Sequence, residues 1–298
     1  MWTRFTDTVG DLPVKELRRS HVRDFKDALL KMPKDKRRPD GPRMSGTTVQ
    51  KHLSAIRSVL AWAVRNDYAE ANPAADLRLS MRSTAGEKSR LPHDVDALRT
   101  LFSSKMYTDT SMPRDDARWW PPLLAIFTGA RREELGQLHC ADVRHEDDVD
   151  YIHIRPGDGK RVKTRGSERR IPLHPELVRL GFLQHVETMR AAGHTRVFPE
   201  LRPDPHGRLT DAFGKWFTRY CRAVGAKSAK TCFHSGRHGW VDAAREVMPE
   251  EHRHAITGHV GGGVGRSYGR GVPLKVFAES MARVPYRGLD LSHLHGHA

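Results

Sequence analysis

The chain has 298 residues and a formal net charge of +15, because 51 Lys and Arg residues outnumber 36 Asp and Glu residues. A chain of this length predicts about two domains. No apolar run approaches the roughly 20 residues that a membrane span requires, and the first residues lack the apolar core of a secretion signal. The three cysteines form no CxxC pair, which argues against a disulfide or zinc framework. We therefore expect a cytoplasmic protein that binds no metal.

The excess of positive charge predicts a polyanionic partner, and nucleic acid is the commonest polyanion in the cytoplasm. A solubilising surface and a ribosome-associated protein are the alternatives, since charge alone does not distinguish them.

Residues 1–80 predict a small helical domain. Ser20 is placed to cap a first helix, on which Val22, Phe25 and Leu29 share one face. A basic loop that contains prolines follows at 34–43. The basic face of this region indicates either a module that binds the DNA backbone or an ordinary solvated surface.

A second helix is predicted in the same domain. Thr47 and Gln50 are three residues apart, which is the spacing of a capping box. Apolar residues then recur at steps of four and three, the period of one helix face. They are Val49, Leu53, Ile56, Leu60 and Ala63.

A polar stretch of small residues at 81–91 predicts a linker, and 92–285 predicts a second domain. The segment 149–154 alternates as a strand does, and 169–173 is its expected partner. Helices are predicted at 94–102, 119–127, 175–192, 210–224, 232–247, 250–257 and 274–281. The fold class is therefore α+β, mainly helical with a small antiparallel sheet. Residues 286–298, which include His293, His295 and His297, are expected to form a disordered tail.

One candidate for chemistry is the run His234-Ser235-Gly236-Arg237-His238. Residues three and four apart share a helix face, so His234, Arg237 and His238 can point into one site. An Arg fork suits phosphate oxygens, and a histidine can move a proton. Two histidines four apart also fit a zinc site, but the Glu that follows the first His of a zinc-protease helix is missing.

A second candidate is Thr128-Gly129-Ala130-Arg131, where an apolar helix runs into a glycine turn. The turn can direct Arg131 inward, and Glu134 could brace it. The alternative is a surface helix start with an ordinary charge pair.

A third candidate is Gly258-His259 followed by Tyr268, nine residues beyond the histidine and after a glycine run. A tyrosine on such a connection can reach a fixed site. Packing is the alternative function for a single tyrosine.

In this order and spacing, the three candidates resemble the tyrosine recombinases, or phage-type integrases. The resemblance covers residues 45 to 285 and adds Lys163, in the loop between the predicted strands. It implies an N-terminal helical core-binding module and a catalytic domain that form a C-shaped clamp on DNA. It also implies a catalytic set of Arg131, Lys163, His234, Arg237, His259 and Tyr268.

The resemblance implies a site-specific recombinase that needs no metal, ATP or other cofactor. Tyr268 attacks the scissile phosphate, His234 relays the proton, and Lys163 protonates the leaving oxygen. The arginines and His259 bind the phosphate. The helix at 274–281 docks on a neighbouring protomer or on its own chain, and these alternatives stay open.

The implied partner is double-stranded DNA, bound by a homotetramer on paired sites, with a monomer as an option without DNA. The expected backbone contacts are Lys34, Lys36, Arg37, Arg38, Arg43, Lys51, Lys160, Arg161 and Arg165. Members of the family commonly begin with a further helix, and many carry an upstream arm-binding domain. The sequence indicates neither, and a chain that starts late and a truncated member are the two alternatives left open. A type IB topoisomerase-like enzyme and a non-catalytic DNA-binding protein are the alternative functions.

Overall fold

The computed structural model describes residues 2–35, 37–79, 90–111, 116–160, 167–259 and 272–295. The chain forms two compact units, Met1–Glu87 and Lys88–Ala298. Both are mainly helical, and the second carries an antiparallel sheet of three strands, so the α+β prediction is confirmed. None of the helices in the described ranges has the length and apolar character that crossing a membrane requires.

The described part of the first unit contains a short 3-10 helix, Val14–Glu16, and three α-helices: α1 (Trp2–Val9), α2 (Arg19–Lys31) and α3 (Gly46–Arg65). The predicted apolar faces of α2 and α3 are buried, and Val22, Phe25 and Val49 are fully inaccessible. Phe5 of α1 meets the ring of Phe25 edge-on, with ring centroids 5.0 Å apart. Burial of these faces is what holds the helices together.

Three details of this unit differ from the prediction. Helix α1 was not expected, although Trp2, Phe5 and Val9 recur at helical spacing. Ser20 lies inside α2, whose N-cap is Arg18. The expected capping box at Thr47 and Gln50 is wrong as well, because the Ser45 side chain accepts from the backbone N–H of Thr48 and starts α3 earlier.

Ten α-helices lie in the described part of the second unit, besides the short 3-10 helices Cys140–Asp142 and Ser292–Leu294. They are α4 (Val95–Phe102), α5 (Lys105–Thr108), α6 (Trp120–Thr128), α7 (Arg132–Gly136), α8 (Pro175–Arg179), α9 (Phe182–Ala191), α10 (Asp211–Ala223), α11 (His234–Ala244), α12 (Glu250–Thr257) and α13 (Leu274–Ala282). Helix α6 is buried along its whole length and packs against α11. Both helices contribute residues to the unit's hydrophobic core, among them Leu123, Leu124 and Trp240.

The sheet consists of β1 (Val143–Glu146), β2 (Val149–Ile154) and β3 (Arg169–Pro172). The strands are antiparallel in the order β1-β2-β3, and Ile152 of β2 faces Val143 on one side and Ile171 on the other. Strands β2 and β3 were predicted, but β1 was not. It is an edge strand with one buried residue, so it lacks an alternating pattern.

The predicted helix 175–192 is two helices, because Gly181 has a left-handed backbone and begins α9. The disordered tail is also wrong for the described part. Leu294 is fully buried, and His295 Nε2 lies 2.6 Å from Glu176 Oε1. Helix α13 packs on β2 and β3 of its own chain, which is one of the two alternatives left open.

Candidate active site

The first arginine of the candidate site follows a tight turn between two helices. Buried α6 ends at Thr128, and Gly129 then reverses the chain with a left-handed backbone (φ 62°). A Cβ atom at this position would lie 2.7 Å from Cε3 of the fully buried Trp240, so a side chain does not fit. Arg131 follows as the N-cap of α7. The buried helix and the glycine therefore fix where this side chain begins.

The carboxylate of Glu134 holds Arg131. Its Oε2 accepts from the backbone N–H of Arg131 at 2.7 Å, and its Oε1 accepts from Arg131 Nη1 at 2.7 Å. Arg131 Nη2 also donates to the carbonyl of Gly258 at 3.3 Å. The prediction that Glu134 braces this arginine is confirmed.

The second arginine, Arg237, lies on α11 and is 3% exposed. Its Nη1 donates to the carbonyl of Gly129 at 2.6 Å, and its Nη2 donates to that of Thr257 at 2.7 Å. Desolvation and, after it, the charges of Arg131 and Arg169 lower its pKa to about 10. The group stays cationic at neutral pH and lies beside other cations. This arrangement favours an anion as its partner.

His234 begins α11, one turn before Arg237. Although the residue as a whole is exposed, partial desolvation of the ring lowers its pKa to about 4, helped by His238, Arg237, Arg131 and His259. The ring therefore lies within the electrostatic range of both arginines. The imidazole is neutral at neutral pH and can accept a proton.

His259 follows α12 and its C-cap, Gly258, which has a left-handed backbone (φ 63°). Thr257 Oγ1 donates to the carbonyl of Arg253 at 2.6 Å, so it accepts from His259 Nδ1 at 2.9 Å. Desolvation, followed by the charges of the site arginines, lowers the pKa of His259. With its proton on Nδ1, the neutral ring carries a lone pair on Nε2. It donates from Nε2 only when it is protonated.

The sequence did not reveal a further arginine of this cluster, Arg169 at the start of β3. It is 8% exposed and forms a two-pronged ion pair with Glu134, at 2.7 and 3.1 Å. Burial raises the pKa of Glu134, but the hydrogen bonds and charge of Arg169 and the bonds from Arg131 outweigh it, so the net pKa is lowered. A basic residue at a buried position of a predicted strand is the signal that could have identified it.

Comparison with known proteins identifies the fold. No protein-family model and no curated protein matches the sequence. Among solved structures, the Tn1549 transposon integrase in complex with circular intermediate DNA aligns with 94% of this chain and 90% of its own, at 18% identity and a TM-score of 0.62. A lambda integrase dimer bound to a COC′ core site aligns over 97% and 88%, at 14% identity and a TM-score of 0.58. The chain has the fold of the tyrosine recombinase integrases.

The same integrase fold is found in a lambda integrase tetramer bound to a Holliday junction, at 15% identity and a TM-score of 0.57. That alignment covers 87% of this chain and 69% of the other. The resemblance inferred from the ordered motifs thus agrees with the fold.

The structure brings Arg131, His234, Arg237 and His259 together, at one place in the integrase fold. Lys163 and Tyr268 lie outside the described residues. The ends of their connections are described, however. Lys163 belongs to the connection from β2 to β3, and Tyr268 to the connection from α12 to α13.

The basic residues predicted to contact DNA in the first unit are exposed wherever they are described. A pairing of Pro33 with Arg43 closes the basic loop, and Lys34 N–H donates to the carbonyl of Pro42 at 2.8 Å. The exposed residues are Lys34, Arg37, Arg38, Arg43 and Lys51. Lys36, Arg161 and Arg165 lie outside the described residues.

Lys160 is placed differently from the other predicted DNA contacts. Its side chain is 7% exposed, and its Nζ lies 2.5 Å from Oδ2 of the buried Asp142. Arg155 Nε binds the same carboxylate at 2.9 Å. Lys160 is thus part of a buried ion pair, and it is left out of the DNA interface proposed below.

A zinc site was the alternative for His234 and His238, whose ring centroids are 5.0 Å apart. Within the ranges that the structure covers, no group of three or more His, Cys, Asp or Glu side chains is placed to hold a metal ion.

Proposed function

We propose that the chain is a tyrosine recombinase, which cleaves and rejoins DNA at specific sites through a 3′-phosphotyrosine link and so integrates or excises a mobile element. One observation carries the proposal. Two arginines and two histidines from three separate segments meet at one place in a chain with the integrase fold.

The arginines supply a phosphate site that is fixed before DNA binds. Arg131 is held by Glu134 and the Gly258 carbonyl, and Arg237 by the carbonyls of Gly129 and Thr257. Donors held in this way need little reorganisation when negative charge develops on the phosphate oxygens. The neighbouring cations that lower the pKa of Arg237 would be compensated by a bound phosphate.

The reaction that we propose is one exchange of phosphate esters. The hydroxyl oxygen of Tyr268 forms a bond to the scissile phosphorus, and the bond from phosphorus to the 5′ oxygen breaks. The tyrosine proton goes to His234, and Lys163 gives a proton to the departing oxygen. A free 5′ hydroxyl then attacks the phosphotyrosine and reverses these steps. One ester replaces another, so no ATP is required, and the arginines supply the positive charge that a metal ion would otherwise provide.

The two histidines have different roles in this proposal. His234 is neutral at neutral pH, and it takes the tyrosine proton when the bound phosphate and the developing negative charge raise its pKa above about 4. His259 donates to a phosphate oxygen through Nε2, which requires that the bound anion raises its pKa enough to protonate the ring. Phosphate binding and protonation of His259 are then coupled.

We infer that double-stranded DNA is bound by the exposed cations of the first unit together with the catalytic unit. Because such contacts release counterions, binding should weaken steeply as salt increases. We further infer that four copies assemble on paired sites in the cytoplasm, by analogy with the lambda integrase tetramer.

The first experiment identifies the DNA. The chain is expressed in bacterial cells, covalent protein–DNA adducts are purified under denaturing conditions, and the attached DNA is sequenced. We expect one recurrent junction. A nicked duplex that carries this junction then traps the adduct in vitro, because the short fragment released by cleavage diffuses away.

On this duplex, the wild-type chain should form an adduct and Tyr268→Phe should form none. Tyr68→Phe is the matched control, since Tyr68 is an exposed tyrosine of the first unit. EDTA should leave the adduct yield unchanged. DNA binding without an adduct would instead support the non-catalytic alternative, and relaxation of supercoils without exchange between sites would support the topoisomerase-like one.

A further inference from the structure

Arg169 occupies an unusual position for a charged residue. Successive side chains of strand β3 point to opposite faces of the sheet, so Arg169 and Ile171 are buried while Arg170 is exposed. Arginine is almost never buried unless it is paired. Every contact of this guanidinium that the structure describes leads to a segment of the candidate active site.

The contacts of Arg169 join three segments. Nη1 and Nη2 bind Glu134, which in turn holds Arg131. Nε donates to the carbonyl of Ile256 at 2.6 Å, in the last turn of α12 before His259. Nη1 also donates to the carbonyl of Ser167 at 2.9 Å, at the end of the connection from β2 to β3.

We propose that Arg169 is a positioning residue for strand cleavage, which sets the geometry of Arg131, of the α12 end and of the Ser167 backbone just before β3 at once. This inference rests on the proposed recombinase function. Arg169 is not a catalytic residue, because its donors bind Glu134 and two carbonyls. It acts on the phosphate through Arg131.

The fork of an arginine is what this role requires. A guanidinium holds its donors in one plane with fixed angles, so it can bind a carboxylate with two prongs and reach two carbonyls on other sides. A lysine has one nitrogen and cannot reach these acceptors together. The backbone is fitted closely to the arginine, because a Cβ atom at position 258 would lie 3.1 Å from Arg169 Nη1.

Arg169→Lys keeps the charge and removes the fork. We expect single-turnover cleavage of the nicked duplex to slow by about tenfold or more, because small displacements of reacting groups are costly in rate. DNA affinity should stay within about threefold of wild type, since the buried side chain offers no phosphate contact. Arg170→Lys is the matched control. It alters the next residue, which is exposed and paired with Glu146, and it should cleave normally.

A second substrate separates positioning from general damage. A methylphosphonate at the scissile position replaces one charged oxygen by a methyl group, so the reaction depends less on where Arg131 lies. If Arg169 acts through Arg131, the ratio of wild-type to variant rates should shrink to about threefold or less on this DNA. A structural defect would slow both substrates by the same factor.

Arg169→Gln is a second variant, which removes the charge and keeps an amide donor for Glu134. Circular dichroism and thermal unfolding check the fold of each variant. The proposal is overturned if Arg169→Lys cleaves like Arg170→Lys, if both substrates slow equally, or if neither variant folds. Failure of the wild-type chain to form any adduct would contradict the recombinase function itself, which is a different result.

Discussion

Gly129→Ala tests whether the turn that leads to Arg131 depends on close contact with the core. The substitution has two separate effects. An alanine in the left-handed region costs about 1 to 2 kcal/mol in the free energy of unfolding. The new methyl group would also lie 2.7 Å from Cε3 and 2.8 Å from Cδ2 of Trp240, which is fully buried and cannot move freely. Overpacking of this kind costs about 1 to 3 kcal/mol more.

Gly225→Ala is the matched control. Gly225 has a similar backbone (φ 79°), but a Cβ atom there would have no neighbour within 4 Å. It should therefore lose only the backbone contribution, and the difference between the two variants isolates the overlap with Trp240. In a domain of this size, each kcal/mol lowers the melting temperature by about 2 to 4 °C.

The assay is thermal unfolding of the full chain, followed by circular dichroism and calorimetry. We expect Gly129→Ala to melt at least about 2 °C below Gly225→Ala. Strand cleavage by Gly129→Ala should also fall, because the carbonyl of Gly129 binds Arg237 at 2.6 Å. Equal melting temperatures for the two variants would refute the reasoning, since they would show that the indole is not in the way.

Three further predictions concern single ionisable groups. Glu134→Gln should destabilise the chain by about 3 to 5 kcal/mol and slow adduct formation, because it removes the buried partner of two guanidinium groups. Glu133→Gln is the control. The Glu133 carboxylate faces the start of α10, so this variant should slow adduct formation far less. Lys160→Met should lower the free energy of unfolding by about 1.5 to 3 kcal/mol, because Lys160 binds Asp142. DNA affinity, measured by fluorescence anisotropy, should stay unchanged. Weaker DNA binding would show that Lys160 contacts DNA after all. Burial lowers the pKa of His174 to about 4, below its usual 6.5, so protonation favours the unfolded chain and stability is lost as pH falls from 6.5 towards 4. Urea unfolding should show about 2 kcal/mol less stability at pH 5 than at pH 7 from this group, a difference that His174→Asn should abolish.

Short-range patterns predicted much of the secondary structure. The steps of four and three along α3 identified its buried face, and the alternation along 149–154 identified β2. Both patterns record burial on one side of a regular element, so they can be read before the fold is known. Predictions failed where the local signal was weak. Edge strand β1 has one buried residue, and Ser45 competes with Thr47 as the cap of α3.

The order and spacing of the polar motifs indicated the integrase fold and four candidate site residues that the structure places together. Only the tertiary structure decided which partners these residues have. Arg131 binds a carbonyl 127 residues away, and Arg237 binds one 108 residues away. The tertiary structure also decided the partners of Lys160 and Arg169. Both are basic residues near the β2–β3 connection, yet one is buried in an ion pair with Asp142 and the other joins three segments of the site. A sequence records the charge of each residue, whereas burial and long-range hydrogen bonds determine what that charge does.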